Sequence, residues 1–436
     1  MKRTESVEFK SFYSEIFLQT ILLGIRNMQL KNKSVLLLLI LGISYCSSFI
    51  TFANACKTDE NQYNYAEWRF SNNQPYLYVE ADNYYTLGFL EGQNLAFQIA
   101  WMKLMIMLQA QEIGIPYEVA LYYTTDYLEH IPEEYLLEMH GIADAIDAVS
   151  IPFMGEIYEI SIDFTDILAQ NCFWDIYYGK IIPMLTGYPQ SPLIAGDCTA
   201  MGSHTSKKTA FGQTIDLTLL MMPTVSWVYT KINNKKVFSF RMGSMLAMGG
   251  INKWGLSISV NLIEVFNYGC SGIPLSVIYR SALEKARFVK QAKDIIISND
   301  FTLGWNYIIR NRRIMVAIET IPNSYSLERI GRGSYTFDAN IYENSLFKMS
   351  MIYPTKYLER YNRVSELCLT YSQDGNLDIK ELFNIFSDIQ ISRRFTTGDP
   401  MEVGTVGSFF IDHRNNVYFC LGNPLDSSLG IITSFK

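Results

Sequence analysis

The periodicity of this chain changes once, near residue 197, and that change limits the fold more than any other feature. Over 84–112 the segment YYTLGFLEGQNLAFQIAWMKLMIMLQAQE repeats its apolar residues at helical spacing, and 132–147 (PEEYLLEMHGIADAID) does so again. After Asp197 the texture becomes β-branched alternation. SWVYTKI and KKVFSFR, separated by Asn233 and Asn234, read as two antiparallel strands, and LSISVNLIEV from Leu256 continues the sheet. SFFID (408–412) and NVYFCLG (416–422) flank His413, Arg414 and Asn415 as a further hairpin. Helical patterns return over 274–298, 356–371 and 378–388. A helical N-terminal third followed by alternating strand and helix blocks predicts an α+β fold with stacked sheets and outer helices. No linker or internal repeat divides it. The stripe of Trp101, Met102, Met105 and Met107 reads as core packing.

Composition narrows the function classes. With 436 residues, 49% hydrophobic and 18% charged, the chain can bury a large core, which excludes disordered, collagenous and disulfide-miniprotein classes. Thirty-six Lys and Arg against 43 Asp and Glu give −7, with no basic run beyond the N-terminus, so a nucleic-acid partner has no electrostatic support. Residues 34–55 (SVLLLLILGISYCSSFITFANA) carry no charge, follow Lys31 and Lys33, and end on Ala53 and Ala55. This is a signal-peptide pattern over 1–55, with Met28 the expected start and the cut expected before Cys56. The chain is expected in an exported compartment: secreted to the extracellular space, periplasmic or lysosome-like. Its one membrane contact would be an uncleaved signal acting as an anchor. Losing 1–55 removes six bases and three acids and moves the formal charge from −7 to −10.

Cysteines stand at Cys46, Cys56, Cys172, Cys198, Cys270, Cys368 and Cys420, with no CxxC and no short metal-ligand spacing. For Cys172, Cys270, Cys368 and Cys420 a disulfide and buried free thiols are both open. The run from Asp374 through Asn376 to Asp378 resembles the start of a calcium loop. Ile379 and Ile385, however, stand where Gly and Glu belong, so it reads as a turn with a helix N-cap. No metal and no cofactor is expected.

A serine- or papain-type hydrolase needs a His base. The chain has four, His130, His140, His204 and His413, none in an evident nucleophile context, and it lacks GxSxG and HExxH motifs. The chemistry that needs no His uses an N-terminal Cys, Ser or Thr whose own α-amine, with an unperturbed pKa of about 8, is the base. Such a residue begins a strand after self-cleavage. Cys198, in IAGDCTAMGSHTSKKTAFGQTIDLT, sits where helical texture ends and strand texture begins.

Several ordered segments carry a resemblance: LGFLEGQNLA, EYLLEMHGIADA, Asp197-Cys198-Thr199, Gly212 to Asp216, GINKWGLSISVN from Gly250, GIPLSVIYRSALE, Ala339-Asn340 and TVGSFFIDHRNNVYFCLGNP. From about Leu87 to Pro424 the chain resembles the acyl-coenzyme A:6-aminopenicillanic acid acyltransferase-like family of autoproteolytic N-terminal-nucleophile cysteine hydrolases. The resemblance implies a four-layer αββα sandwich and self-cleavage between Asp197 and Cys198. The parts would be a helical chain, 56–197, and a core chain, 198–436, which stay associated. It implies Cys198 as nucleophile and, through its new amino group, base. Asp216 would orient that amine or thiol, and Asn340 would donate to the oxyanion. Thr199 and Asn261 are weaker candidates with structural roles as the alternative. The chain departs from the family at Thr214 (usually Asn), Ile341 (usually His) and Met401-Glu402 (Ser-Arg in the acyltransferase). Acyl-CoA use therefore has no support here. The expected activity is cleavage or transfer at the C–N bond of a small N-acyl amide or peptide-like substrate. The alternatives are a secreted non-catalytic binding protein of the same fold and a lipid amidase or phospholipase B-like member of the superfamily.

Overall fold

The computed structural model describes residues 64–181, 196–205, 209–266, 269, 271–353, 355–373 and 377–433. The expected signal segment, its start and cut, Cys46, Cys56 and Cys270, and the turn at 374–376 lie outside the described residues. In chain order a hairpin, β1 (Tyr65–Ser71) and β2 (Gln74–Ala81), precedes helices α1 (Tyr84–Glu112), α2 (Tyr117–Leu128) and α3 (Glu133–Asp144). A second hairpin, β3 (Val149–Phe153) and β4 (Glu156–Ile160), leads to α4 (Phe164–Asn171). Past the change of texture come β5 (Gly196–His204), β6 (Thr209–Thr218), β7 (Val225–Ile232), β8 (Lys235–Met242), β9 (Gly250–Asn252) and β10 (Ser257–Ile263). Then follow α5 (Leu275–Lys285), α6 (Val289–Ile297), β11 (Gly304–Arg310), β12 (Met315–Ile321), β13 (Ser324–Ile330) and β14 (Ser334–Asp338). The chain closes with α7 (Leu358–Tyr371), α8 (Ile379–Phe386), β15 (Val403–Ile411), β16 (Val417–Leu421) and β17 (Gly430–Ile432).

Among the described residues two large sheets form, a nine-stranded one in the order β1-β2-β7-β8-β9-β10-β11-β12-β13 and a six-stranded one in the order β14-β5-β6-β15-β16-β17, beside the two-stranded β3-β4. Alternate residues of facing strands meet between them, where Trp227 and Phe238 of the first sheet pack on Phe409 and Phe419 of the second. The outer face of the six-stranded sheet buries Met201, Ala210 and Phe410 against Val364 and Cys368 of α7 and Leu382, Ile385 and Phe386 of α8. Helices α1 and α5 cover the nine-stranded sheet. The architecture is thus the four-layer αββα sandwich.

Helix α1 begins where the Asn83 side chain accepts the Thr86 N–H at 2.8 Å. It crosses α3 at a distance only glycine permits. A Cβ on Gly88 would lie 1.9 Å from the Glu138 carbonyl oxygen, and one on Gly141 would lie 2.1 Å from that of Tyr85. The segments LGFLEGQ and MHGIADA are therefore the two sides of one helix contact. Met102 and Met105 are fully buried there, as core.

Two expectations change and one open question closes. The N-terminal third is not helical throughout: β2 pairs in parallel with β7, so this region supplies an edge of the nine-stranded sheet. The single helix over 274–298 is two, because buried Asn252 Nδ2 donates to the Leu283 and Ala286 carbonyls at 2.8 and 2.7 Å and draws off the end of α5. Cys172, Cys368 and Cys420 are buried free thiols. The turn reading at Asp378 holds, its side chain capping α8 with Glu381 reciprocating. Among the described residues no helix is long and apolar enough to cross a membrane.

Candidate active site

Strand β5 pairs with β6 so that Asp197 faces Asp216, Cys198 faces Ile215 and Thr199 faces Thr214. On its other side β5 pairs with β14, but that strand stops at Asp338, opposite Ala200. Beyond it the chain turns. Asp338 Oδ1 accepts the Asn340 N–H at 2.8 Å, and Asn340 adopts φ +63°, a left-handed conformation that asparagine tolerates. The Asn340 side chain then takes over where the strand ended: its Oδ1 accepts the Cys198 N–H at 3.0 Å and its Nδ2 donates to the Leu262 carbonyl at 2.7 Å. The Cys198 carbonyl is held as well, accepting from Asn261 Nδ2 at 3.0 Å. Both ends of the Cys198 backbone are thus fixed by asparagine side chains.

A buried charge cluster surrounds this residue. Arg360 of α7 donates from Nη1 to Asp216 Oδ2 at 3.2 Å and from Nη2 to Asn340 Oδ1 at 2.5 Å, and lies 3.8 Å from Asp197. Arg393 donates to Asp197 Oδ2 at 2.8 Å, and Thr405, across from Asp216 in β15, donates its hydroxyl to Asp216 Oδ1 at 2.7 Å. Asp197, Thr199, Asp216, Asn261 and Asn340 are all buried, whereas Cys198 keeps accessible surface.

The electrostatics follow from burial and these partners. Burial pushes Asp216 up to about 6, even though Arg360 and Arg393 oppose it. Burial would raise Asp197 too, but Arg360 and Arg393 prevail and hold it below the ordinary carboxylate range. The Cys198 thiol is pushed up by burial and then by the Asp216 charge, with Arg360 pulling back. It keeps its proton at neutral pH until a base takes it.

The structure thus gathers Asp197, Cys198, Asp216, Asn261 and Asn340 within one hydrogen-bonded group. Thr199 and Thr214 are buried beside it with hydroxyls that find no partner. Glu402 is turned elsewhere, accepting the Thr396 and Thr397 N–H groups at 2.8 and 2.9 Å as a loop staple. Sequence reasoning missed Arg360, Arg393 and Thr405. A signal existed for the first: Arg360, Val364 and Cys368 form the buried stripe of α7, and an arginine on an apolar stripe has to find an acid. Among the described residues no cluster of His, Cys, Asp or Glu is arranged to hold a metal ion.

The sequence profile of the family described as Acyl-coenzyme A:6-aminopenicillanic acid acyl-transferase matches residues 204–426, just over half of the chain. The match begins beyond Cys198. Among solved structures, penicillin V acylase from Agrobacterium tumefaciens is similar at 14% identity and a TM-score of 0.39, over 55% of this chain and 86% of its own. A mutant of conjugated bile acid hydrolase from Clostridium perfringens is similar at 11% identity and a TM-score of 0.38, over 54% of this chain and 92% of its own. No curated protein matches the chain.

Proposed function

We infer that this chain, which belongs to the acyl-coenzyme A:6-aminopenicillanic acid acyl-transferase family, is an N-terminal-nucleophile enzyme of amide cleavage or acyl transfer. From that premise we propose that it is an exported, self-cleaving cysteine amidase acting on the C–N bond of small N-acyl amides or peptide-like substrates. The observation that carries this reading is Cys198: only partly buried, gripped at its N–H by Asn340 and at its carbonyl by Asn261, and bordered by buried charge.

Maturation would begin when the Cys198 thiol adds to the Asp197 carbonyl carbon. The Asp197–Cys198 C–N bond breaks, the departing nitrogen gains a proton, and water then hydrolyses the thioester to leave a free α-amine on Cys198. In turnover that amine takes the thiol proton and the thiolate attacks the substrate carbonyl. The amine then returns the proton to the leaving nitrogen, and water or an acceptor amine resolves the thioester. Asp216, largely ionised above its pKa of about 6, would steady the ammonium form. Asn340 would keep the amine in place through Oδ1. The second hydrogen of its Nδ2, not used on Leu262, would serve the oxyanion, a contact of a kind worth about 3 kcal/mol. Asn261 would act on the backbone frame, and Thr199 would only fill its strand position beside it. The cut parts would stay associated, because β2 lies within the nine-stranded sheet and α1 packs on it. Export rests on the uncharged run at 34–55.

The test is to incubate the protein with a panel of N-acyl amino acids and N-acyl arylamides, quench in acid and map the acylated peptide by mass. An acyl group on Cys198 in wild type and none in Cys198→Ala is expected. Product release with no acyl-Cys198 under any quench would remove the proposal.

A further inference from the structure

Behind the turn that carries Asn340 lies a cavity of about 110 Å³, between β11 to β13 of one sheet and β14 of the other. Four carboxylates line it, Glu319, Glu328, Asp338 and Glu343, and no Lys, Arg or His does. Its floor is polar and short of donors. Asn306 Nδ2 donates to the Ile341 carbonyl at 3.2 Å and lies beside the Asp338 carboxylate. Turning that amide over would set two oxygens against each other, so the orientation is fixed and Oδ1 is left with no donor. Asp338 spends Oδ1 on the Asn340 N–H and takes weaker contacts from Asn306 and the Ile341 N–H, burial pushes it up to about 7, and its Oδ2 accepts no well-formed hydrogen bond. Both side chains are buried, Asn306 at 6% and Asp338 at 5% exposure, and both line the cavity. Glu319, on the wall, accepts the Glu343 and Asn344 N–H groups.

Acceptors with nothing to accept, in an acidic chamber, call for a ligand that brings only donors and a positive charge. The cavity also adjoins the Cys198 site. Asn261 Nδ2 donates to both the Cys198 and the Asp338 carbonyls, at 3.0 and 3.1 Å. In the nine-stranded sheet, Asn261, Asn306, Glu319 and Ser326 stand opposite one another across β10 to β13, a polar row from the Cys198 carbonyl to the chamber wall. We propose that this cavity is a subsite for an alkylammonium group, so that the substrate carries a positively charged amine beside its scissile amide. The assignment of the cation to the substrate rests on the amidase reading; the binding of an alkylammonium ion does not. In the bound state the ammonium hydrogens go to Asn306 Oδ1, Asp338 Oδ2 and a Glu319 oxygen.

The experiment is ligand-observed saturation-transfer NMR on the whole protein with n-propylammonium chloride, against n-propanol as the neutral probe of the same shape. Saturable binding of n-propylammonium, roughly tenfold tighter than n-propanol in wild type, is expected, and the preference disappears in Asn306→Leu and in Glu319→Gln. Equal response to the two probes, no saturable response, or a preference untouched in both folded variants overturns the subsite. The wild-type comparison stands even if a variant fails to fold. A chain that cleaves itself before Cys198 yet ignores n-propylammonium loses the subsite and keeps the amidase reading. One that binds n-propylammonium but stays uncut does the reverse.

Discussion

Two buried charge clusters lie in opposite helical layers of the sandwich, and they do different things. Between the outer helices and the nine-stranded sheet, Arg241 of β8 meets Glu91 of α1 at 2.7 Å, while Arg280 of α5 meets Glu138 of α3 at 3.1 Å and Glu284 at 2.5 Å. All five are buried, and several of their polar atoms, among them Arg241 Nη2 and Arg280 Nη1, find no partner. On the six-stranded sheet Arg360 and Arg393 hold Asp197 and Asp216, and there the cluster adjoins Cys198, which is only partly buried. Buried ion pairs alone do not mark a reactive site. What separates the two is a cysteine that is only partly buried, and a backbone held by side chains at the point where strand pairing ends.

The comparison can be broken from the structural side first. Arg280→Met takes the nearest cation from Glu138, leaving Arg241 at 4.0 Å, and leaves Glu284 with Lys235 at 3.4 Å; it should cost about 3–5 kcal/mol of unfolding free energy, read by urea denaturation. A loss under about 1 kcal/mol would mean the network is wetter than its burial implies. From the reactive side, Asn340→Ala should slow amide turnover by roughly 10²- to 10³-fold. An unchanged rate would relieve Asn340 of any part in the chemistry.

A pH series sharpens the contrast. Asp216 is raised in the folded chain, so between its unfolded pKa and about 6 the folded state holds the extra proton. Its share of stability is present at low pH and is lost as pH rises through about 6, an effect on the order of 3 kcal/mol that Asp216→Asn should remove. Glu138 is pushed well above the ordinary carboxylate range, by burial against the pull of Arg280, so its loss falls at higher pH and Glu138→Gln should flatten that later limb. Urea midpoints from pH 4 to 9 for the two variants check both. The smallest effect is expected at Thr199→Val. The unpartnered Thr199 hydroxyl makes no hydrogen bond to lose, so stability should move by no more than about 0.5 kcal/mol and self-cleavage should proceed at the wild-type rate.

Much of the fold was legible because period and turn chemistry agreed. The hairpin at Asn233 is one case, with that residue at φ +51° and β7 and β8 paired about it. The hairpin at Asn72 and Asn73 carries the same signal, at φ +48° and +65°, and went unread because helical texture nearby dominated the N-terminal third. The broken helix between α5 and α6 was hidden for another reason, since it depends on Asn252, distant in sequence. At the site, the resemblance supplied both Asp216 and Asn340, and the local pairing of β5 with β6 sets Asp216 opposite Asp197, next to Cys198. Arg393 reaches Asp197 from a loop with no periodic pattern, so only the folded chain brings them together.

The central claim, that Cys198 becomes a chain terminus with a free amine, is tested most directly by intact mass. Wild type and Cys198→Ala would be compared on a denaturing gel and by mass spectrometry. The account predicts two fragments in wild type, the second beginning at Cys198, and one uncut chain in the variant. A single uncut chain in both would contradict it.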